Sequence, residues 1–122
     1  MITLKTLPMA SEQEVFNQVA AHLIEQNKRS EEPRETEGAG NTCLYKSGDK
    51  ACAAGCLIGD DEYNQKSMEY IPWGDLVLIG FVPPEHKDLI ARLQHVHDYQ
   101  DVENWERELE KLAREKNLQW NL

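Results

Sequence analysis

CLYKSGDKACAAGCLIGDDEY, residues 43–63, contains all three cysteines of the chain. Its first four residues, followed by Ser-Gly-Asp-Lys, predict a short strand that runs into a tight turn. Asp49 is a suitable N-cap for a short helix over residues 50–58, and Gly59 is a suitable end for it. Gly55 inside that helix is unfavourable, because glycine loses more backbone entropy than other residues. The stretch therefore predicts a compact strand–turn–helix unit.

Three further segments have the spacing of amphipathic helices. Ser11 precedes Glu14 by three residues, as in a capping box, so a helix is expected to begin there and to run to about Asn27. A second helix is expected with Pro84 in its first turn, and a third over residues 101–117. Apolar residues recur at three- and four-residue steps in each helix and form one buried stripe. They are Val15, Phe16, Val19, Ala20, Leu23 and Ile24, then Leu89, Ile90, Leu93 and Val96, then Val102, Trp105, Leu109, Leu112 and Ala113.

The segments between these helices differ in composition. Residues 28–42 are charged and contain a proline and two glycines, which predicts an exposed loop that can be mobile. Residues 60–70 are polar and are also predicted to be loop. The apolar run 76–82 fits a short buried helix better than a strand. The fold class predicted is mostly α (α+β): a single domain, 1–122, with four or five helices around one core and a small strand–turn unit near residues 43–50.

The charge of the chain restricts its partners. The net charge is −9, with 13 Lys and Arg against 22 Asp and Glu, so direct binding of nucleic acid is not expected. Mimicry of DNA requires acids to dominate one face, whereas here basic residues are interspersed with them, which gives that reading little support. No apolar run approaches the length of a membrane span, so no membrane partner is expected. An odd number of cysteines and a start that does not resemble a secretory signal favour a reducing cytoplasm.

The three cysteines allow three readings. Free cysteine behaves as a small hydrophobe, so burial of Cys43, Cys52 and Cys56 is the favoured reading, and no cofactor is expected. Cys52 and Cys56 share a face if they lie one helical turn apart, so a zinc site is the second reading. Its ligands would be the three thiols and His97. A reactive thiol is the third reading.

Nucleophilic catalysis requires a base and a group that orients the base. Cys52, His97 and Asp98 are a tempting set, but adjacent helical residues do not face each other, so Asp98 is not expected to orient His97. His97 is instead expected in the core, bonded to a backbone carbonyl. No enzyme is predicted.

Asp60 is expected to cap the turn that follows it, and Tyr63 to be half-buried with its hydroxyl bonded to the backbone. A partner-binding role stays open for both residues.

The order of these residues resembles a signature. It comprises Cys43-x-Tyr45, then Cys52-Ala-x-Gly55-x-Leu-Ile-x-Asp60, then Tyr63, and further on Leu93-Gln94, His97-Asp98 and Trp105. Together they resemble a family of small phage- and prophage-encoded hypothetical proteins, over roughly residues 11–118. This chain has Lys46 and Gly59 where the family usually has arginine and proline.

The resemblance implies a phage or prophage origin and supplies no enzyme activity to carry over to this chain. It suggests a small acidic protein, in the cytoplasm of the bacterial host, that binds and modulates a host protein in host takeover or anti-defence. Two alternatives stay open: a small zinc-bearing structural module of a larger phage complex, and a thiol enzyme or redox protein. The expected contact surfaces are residues 28–42, residues 60–70, or the exposed face of the last helix.

Overall fold

A computed structural model describes residues 1–36 and 38–122. In this part of the chain, five α-helices are joined by short 3₁₀ turns and two small antiparallel sheets of two strands each, so the predicted mostly α (α+β) class is confirmed. The helices are α1 (Glu12–Gln26), α2 (Gln65–Met68), α3 (Trp73–Leu78), α4 (Lys87–Tyr99) and α5 (Trp105–Glu115). The strands are β1 (Glu31–Pro33), β2 (Asn41–Cys43), β3 (Lys46–Ser47) and β4 (Lys50–Ala51).

Helix α1 begins and ends where its sequence predicts. The Ser11 side chain accepts from the backbone N–H of Glu14, and the Glu14 side chain accepts from the backbone N–H of Ser11. Asn27 ends the helix in the left-handed conformation. The buried face of α1 packs against α4 and α5, and their apolar stripes form the core. Ile24 and Val102 lie partly buried at its edge.

The segment 28–42 is not an open loop. β1 pairs with β2 in an antiparallel hairpin, with Glu31 opposite Cys43. Ser30, just before β1, is fully buried, and its carbonyl accepts from the N–H of Leu44. The prediction of a loop was wrong at both ends of the segment, because the two strands pair with each other and the N–H of Ser30 donates to His97 of α4. Residues 34–36 and 38–40 connect the strands and are exposed, as predicted, while Glu37 lies outside the described residues.

The predicted helix over residues 50–58 is also wrong. β3 and β4 form a two-residue hairpin around Gly48 and Asp49, so Asp49 lies in the turn and caps no helix. Only a 3₁₀ turn follows, over Gly55–Leu57. The N–H of Cys52 donates to the carbonyl of Tyr45 (3.0 Å), which extends the hairpin by one further bond.

Gly55 allows this hairpin to pack against the 3₁₀ turn. A Cβ atom at this position would lie 2.0 Å from the carbonyl oxygen of Tyr45 and 2.8 Å from its carbonyl carbon. Both atoms belong to the backbone, so no side-chain rotation could relieve the contact. Gly55, which is unfavourable inside a helix, is therefore explained by the close approach of two backbone segments.

The segment 60–70 contains the short helix α2, capped by Asn64, whose side chain accepts from the N–H of Ser67. Met68 and Glu69 are buried, so the prediction of a polar loop was wrong at its end. The run 76–82 does contain helix, since α3 ends at Leu78. It is not a buried helix, because Leu78, Ile79 and Phe81 are exposed.

Two other histidines each lie close to a backbone carbonyl. His22 approaches the carbonyl of Ala51 with Nε2 at 2.8 Å. His86 lies just before α4 in the left-handed conformation, and its Nε2 is 2.7 Å from the carbonyl of Ala10. Pro84 therefore precedes the helix instead of occupying its first turn.

No helix among residues 1–36 and 38–122 is long and apolar enough to cross a membrane.

Gly55→Ala is expected to lower the free energy of unfolding by about 3 kcal/mol, since the added methyl group forces two backbone segments apart. Gly74→Ala is the matched control: this exposed glycine in α3 has open space around its Cβ position, so the substitution should stabilise the helix by roughly 0.5–1 kcal/mol. Urea denaturation of the three proteins measures both changes. Equal stability of Gly55→Ala and the wild type would contradict the close approach.

Candidate functional site

The tertiary structure brings together three of the residues that the sequence marks, but not in the expected combination. One ligand-type atom each from Cys43, His97 and Asp98 lies within 4.8 Å of the others. Cys43 comes from β2, while His97 and Asp98 come from the last turn of α4. The thiol in this cluster is therefore Cys43 and not Cys52.

The ring of His97 is fully buried and engages both of its nitrogens. The backbone N–H of Ser30 donates to Nε2 (3.0 Å), so Nε2 has the lone pair and Nδ1 has the proton. Nδ1 donates to Asp98 Oδ1 (2.7 Å). The prediction that Asp98 would not orient His97 was wrong, because the carboxylate folds back along the helix surface to reach the neighbouring ring. The prediction of a core histidine was right, but its partner is a backbone N–H and not a carbonyl.

Two further groups hold this cluster in place. Trp105 packs on the His97 ring with centroids 5.5 Å apart, and its Nε1–H donates to the carbonyl of Gln100 (3.1 Å). Gln94 accepts from the N–H of Ala54 through Oε1 and donates to Asp98 Oδ1 through Nε2. The Gln94 side chain thus joins α4 to the turn that follows the second hairpin.

The Cys43 thiol is poorly suited to nucleophilic attack. Desolvation, followed by the nearby Asp98 carboxylate, raises the pKa of this thiol from 9.0 to about 12. Burial likewise raises the pKa of Cys52, and it raises that of Cys56 to about 12. A reactive cysteine requires the opposite shift. His97 cannot serve as its base without giving up the Ser30 bond, so the geometry does not support thiol catalysis.

The four expected zinc ligands do not converge. Cys52 Sγ accepts from the N–H of Gly55 (3.3 Å), while Cys56 Sγ donates to the carbonyl of Ala53 (3.2 Å). Neither thiol belongs to the group around His97 among the described residues. Of the three cysteines, Cys52 is buried as predicted, whereas Cys43 and Cys56 are half-buried.

A metal at Cys43, His97 and Asp98 would conflict with the hydrogen bonds of the ring. Coordination through Nδ1 would displace its proton, and a neutral imidazole would then have its N–H at Nε2. That N–H would face the N–H of Ser30, which is also a donor. The three residue types suit zinc, but the tautomer that the backbone imposes does not.

Glu69 is a central residue that sequence reasoning missed. Its carboxylate is buried and accepts three hydrogen bonds: from the N–H of Tyr45 (2.8 Å), the N–H of Lys46 (3.1 Å) and the hydroxyl of Tyr63 (2.5 Å). It thereby attaches the second hairpin to α2. Glutamate in a polar run between two helices has no local pattern that distinguishes it from a solvated residue, so only the tertiary structure reveals this role.

The other motif residues take their positions from these contacts. The hydroxyl of Tyr45 donates to the carbonyl of Ile71 (2.5 Å). Tyr63 is half-buried as predicted, but its hydroxyl bonds the Glu69 carboxylate and not the backbone. Asp60 caps no turn, because its carboxylate is fully exposed and lies 3.1 Å from Lys46 Nζ.

An open cleft of about 520 Å³ lies above the cluster, bounded by β2, α3 and α4. Cys43, Tyr45, Trp73 and Asp98 are among the residues that line it, and the exposed rings of Tyr70 and Tyr99 stand at its edge. The volume falls in the range of small-molecule and side-chain pockets. Trp73 Nε1 is itself buried without a hydrogen-bond partner among the described residues.

Glu69→Gln is expected to lower the free energy of unfolding by about 2–3 kcal/mol, because an amide nitrogen would meet the Lys46 N–H in a buried place. Asp60→Asn is the control, and we expect a change within about 0.5 kcal/mol, since its ion pair is in solvent. Urea denaturation at pH 7 compares the variants. A Glu69→Gln protein as stable as wild type would exclude the proposed attachment.

Stability is expected to fall as the pH rises above about 9. Unfolded thiols lose their protons near pH 9, whereas Cys43 and Cys56 retain theirs to about pH 12, so the folded state binds more protons in that interval. The stabilising effect is complete below the unfolded pKa and is lost toward the folded pKa. Urea denaturation from pH 7.5 to 10.5 should show a shallower decline for a Cys43→Ala/Cys56→Ala variant. Identical declines would mean that these thiols titrate normally in the folded protein.

No protein-family model, curated protein or solved structure matches this chain. The resemblance to phage proteins therefore remains a prediction from the order of its motifs.

Proposed function

We propose that this protein is a small phage-type binding protein that acts in the cytoplasm of a bacterial host, where it engages a host protein and changes that protein's activity. It performs no catalysis of its own. The order of the motif residues supports the origin, and the net charge of −9 supports a protein partner over nucleic acid. The proton-retaining thiols and the fully engaged ring of His97 support binding over chemistry.

The observation that carries the proposal is an exposed apolar turn formed by residues 78–81. Leu78, Ile79 and Phe81 are 83%, 54% and 50% exposed, and in the chain only Gly80 separates the first two from the third. Full burial of each such side chain would contribute about 1.5–3 kcal/mol, yet the fold leaves most of Leu78 and about half of Ile79 and Phe81 in water. Contiguous apolar side chains on an otherwise polar surface are typical of protein interaction sites.

The backbone holds this apolar turn rigidly. Gly80 adopts a positive φ of 82°, and its N–H donates to the carbonyl of Val77 (3.0 Å). The N–H of Phe81 donates to the carbonyl of Leu76 (2.9 Å), which completes a Schellman motif at the end of α3. A preformed apolar surface loses little conformational entropy when it binds, so its area contributes efficiently to affinity.

Charge indicates the chemistry of the partner surface. Asp75 and Asp88 are exposed on α3 and α4, on either side of the apolar turn in the sequence, and the whole chain is strongly acidic. The matching surface is an apolar pocket bordered by lysine and arginine. Opposite charge accelerates association, and salt weakens that effect. The exposed residues of 28–42, the segment 60–70 and the outward face of α5 stay as further candidate contacts.

The test is capture from bacterial host lysate on immobilised protein, followed by titration calorimetry with the captured protein in purified form. A Leu78→Ser/Phe81→Ser variant is expected to bind at least about 30-fold more weakly, the effect of losing a hot spot. Met9→Ser is the matched control, since Met9 is 77% exposed and lies in the N-terminal segment. It should bind as wild type does.

The thermal unfolding of all three proteins should coincide, because the substituted side chains are exposed. Association should also slow as the salt concentration rises. Failure of the wild type to retain a stoichiometric partner would count against the proposal. Equal binding by the double variant would exclude the apolar turn as the contact.

A further inference from the structure

The cleft between β2, α3 and α4 has a partly exposed carboxylate at its base. The Asp98 side chain is 25% exposed. Gln94 and His97 both donate to its Oδ1, and the Cys43 thiol is a third hydrogen-bond partner of the carboxylate. Among the described residues, no N–H or O–H group donates to Oδ2. A carboxylate oxygen at the base of a cleft favours a ligand group that donates hydrogen bonds and has positive charge.

Carboxylates outnumber basic side chains around the cleft, where Arg34 is the one lysine or arginine among the described residues. Glu69 lies in its wall, and Glu32 accepts from the Tyr70 hydroxyl at its edge. Burial and then the neighbouring negative groups, Glu69 and Asp98 among them, raise the pKa of Tyr45 well above its usual range. An anionic ligand would be repelled from this site, whereas a cation would be attracted.

Aromatic rings stand at the rim of the cleft. Tyr70 and Tyr99 are 69% and 74% exposed, and the ring of Tyr99 lies 4.9 Å from that of His95. The backbone of Tyr70 has a positive φ of 69°, a conformation that is costly for tyrosine, and its hydroxyl is held by Glu32 at 2.5 Å. Exposed aromatic faces around a carboxylate are the arrangement by which proteins recognise organic cations.

We propose that this cleft binds an organic cation, a guanidinium or ammonium group that pairs with Asp98 and packs against Tyr70 and Tyr99. The cation can belong to an arginine or lysine side chain of a bound protein, a source that rests on the proposed function, or to a small molecule. The chemistry of the cleft is the same for both.

Arg34 provides an internal test of this charge preference. It is the only lysine or arginine among the described residues that line the cleft, and its side chain is exposed on the connection between β1 and β2. Its positive charge opposes a second cation. Removal of that charge should therefore strengthen binding without disturbing the core.

The experiment is a titration of ¹⁵N-labelled protein with N-acetyl-arginine amide, followed by two-dimensional NMR. The uncharged isostere N-acetyl-citrulline amide is the comparison ligand. Saturable shifts are expected for the indole N–H of Trp73 and for the backbone of Tyr45 and Asp98, with the arginine probe alone. The indole of Trp120, which packs on Phe16 away from the cleft, is the internal control and should not shift.

Three variants test the assignment of residues. Tyr99→Ala should weaken binding about two- to fivefold, because it removes an aromatic face. Arg34→Gln should strengthen binding about twofold. Met9→Ala should have no effect, since Met9 does not line the cleft. Asp98→Asn should abolish the shifts, but it also removes a hydrogen-bond partner of His97. If that variant does not fold, the Tyr99 and Arg34 variants test the assignment.

Ligands of different length distinguish the two possible sources of the cation. A ten-residue peptide with a central arginine that binds more tightly than the amide supports a protein side chain, and equal affinity supports a small molecule. Equal shifts with citrulline, or shifts scattered over the acidic surface, would overturn the proposal. The titration needs no host protein, so its failure is distinguishable from failure of the capture experiment.

Discussion

The buried ring of His97 is the contact on which the arrangement of the other segments depends. Its Nε2 accepts from the backbone of Ser30, which fixes the start of the first hairpin, and its Nδ1 orients Asp98. Trp105 of α5 packs on its face. Arg29 then donates to the carbonyls of His97 and Gln100, which satisfies the end of α4. A buried polar group of this kind is costly unless every partner is present, so it specifies one arrangement of α4, α5 and β1.

Glu69 has a comparable role on the other side of the cleft. Its carboxylate binds two successive backbone N–H groups of the second hairpin and the hydroxyl of Tyr63. Gly55 then allows the hairpin to lie directly on its 3₁₀ turn. The residues that resemble a signature are therefore mostly the residues that hold two short hairpins on a helical core. The polar groups of these residues are mostly used in contacts that support the fold. The candidate functional features are therefore on the surface and in the cleft.

Two features of that surface are left without intramolecular use by the residues that the structure describes. The apolar turn after α3 exposes Leu78, Ile79 and Phe81, and the partly exposed carboxylate of Asp98 lines the cleft together with two exposed tyrosines. Helix α3 links them, since Trp73 at its start lines the cleft and Leu78 at its end begins the turn. With about 1.5 Å of rise per residue, its six residues place both features within reach of one protein partner.

The sequence by itself determined the helical class, the boundaries of α1 and the buried faces of α1, α4 and α5, because local periodicity and the Ser11–Glu14 capping box are sufficient for these. The Ser-Gly-Asp-Lys turn also predicted the strand–turn unit near residues 43–50. Only the tertiary structure decided the pairing of β1 with β2, and that a strand and not a helix follows the turn. It also decided which groups meet. Glu69 became a buried anchor, Asp98 turned to His97, and Leu78 faced water. Each outcome depends on residues distant in the chain, and no local propensity encodes such contacts.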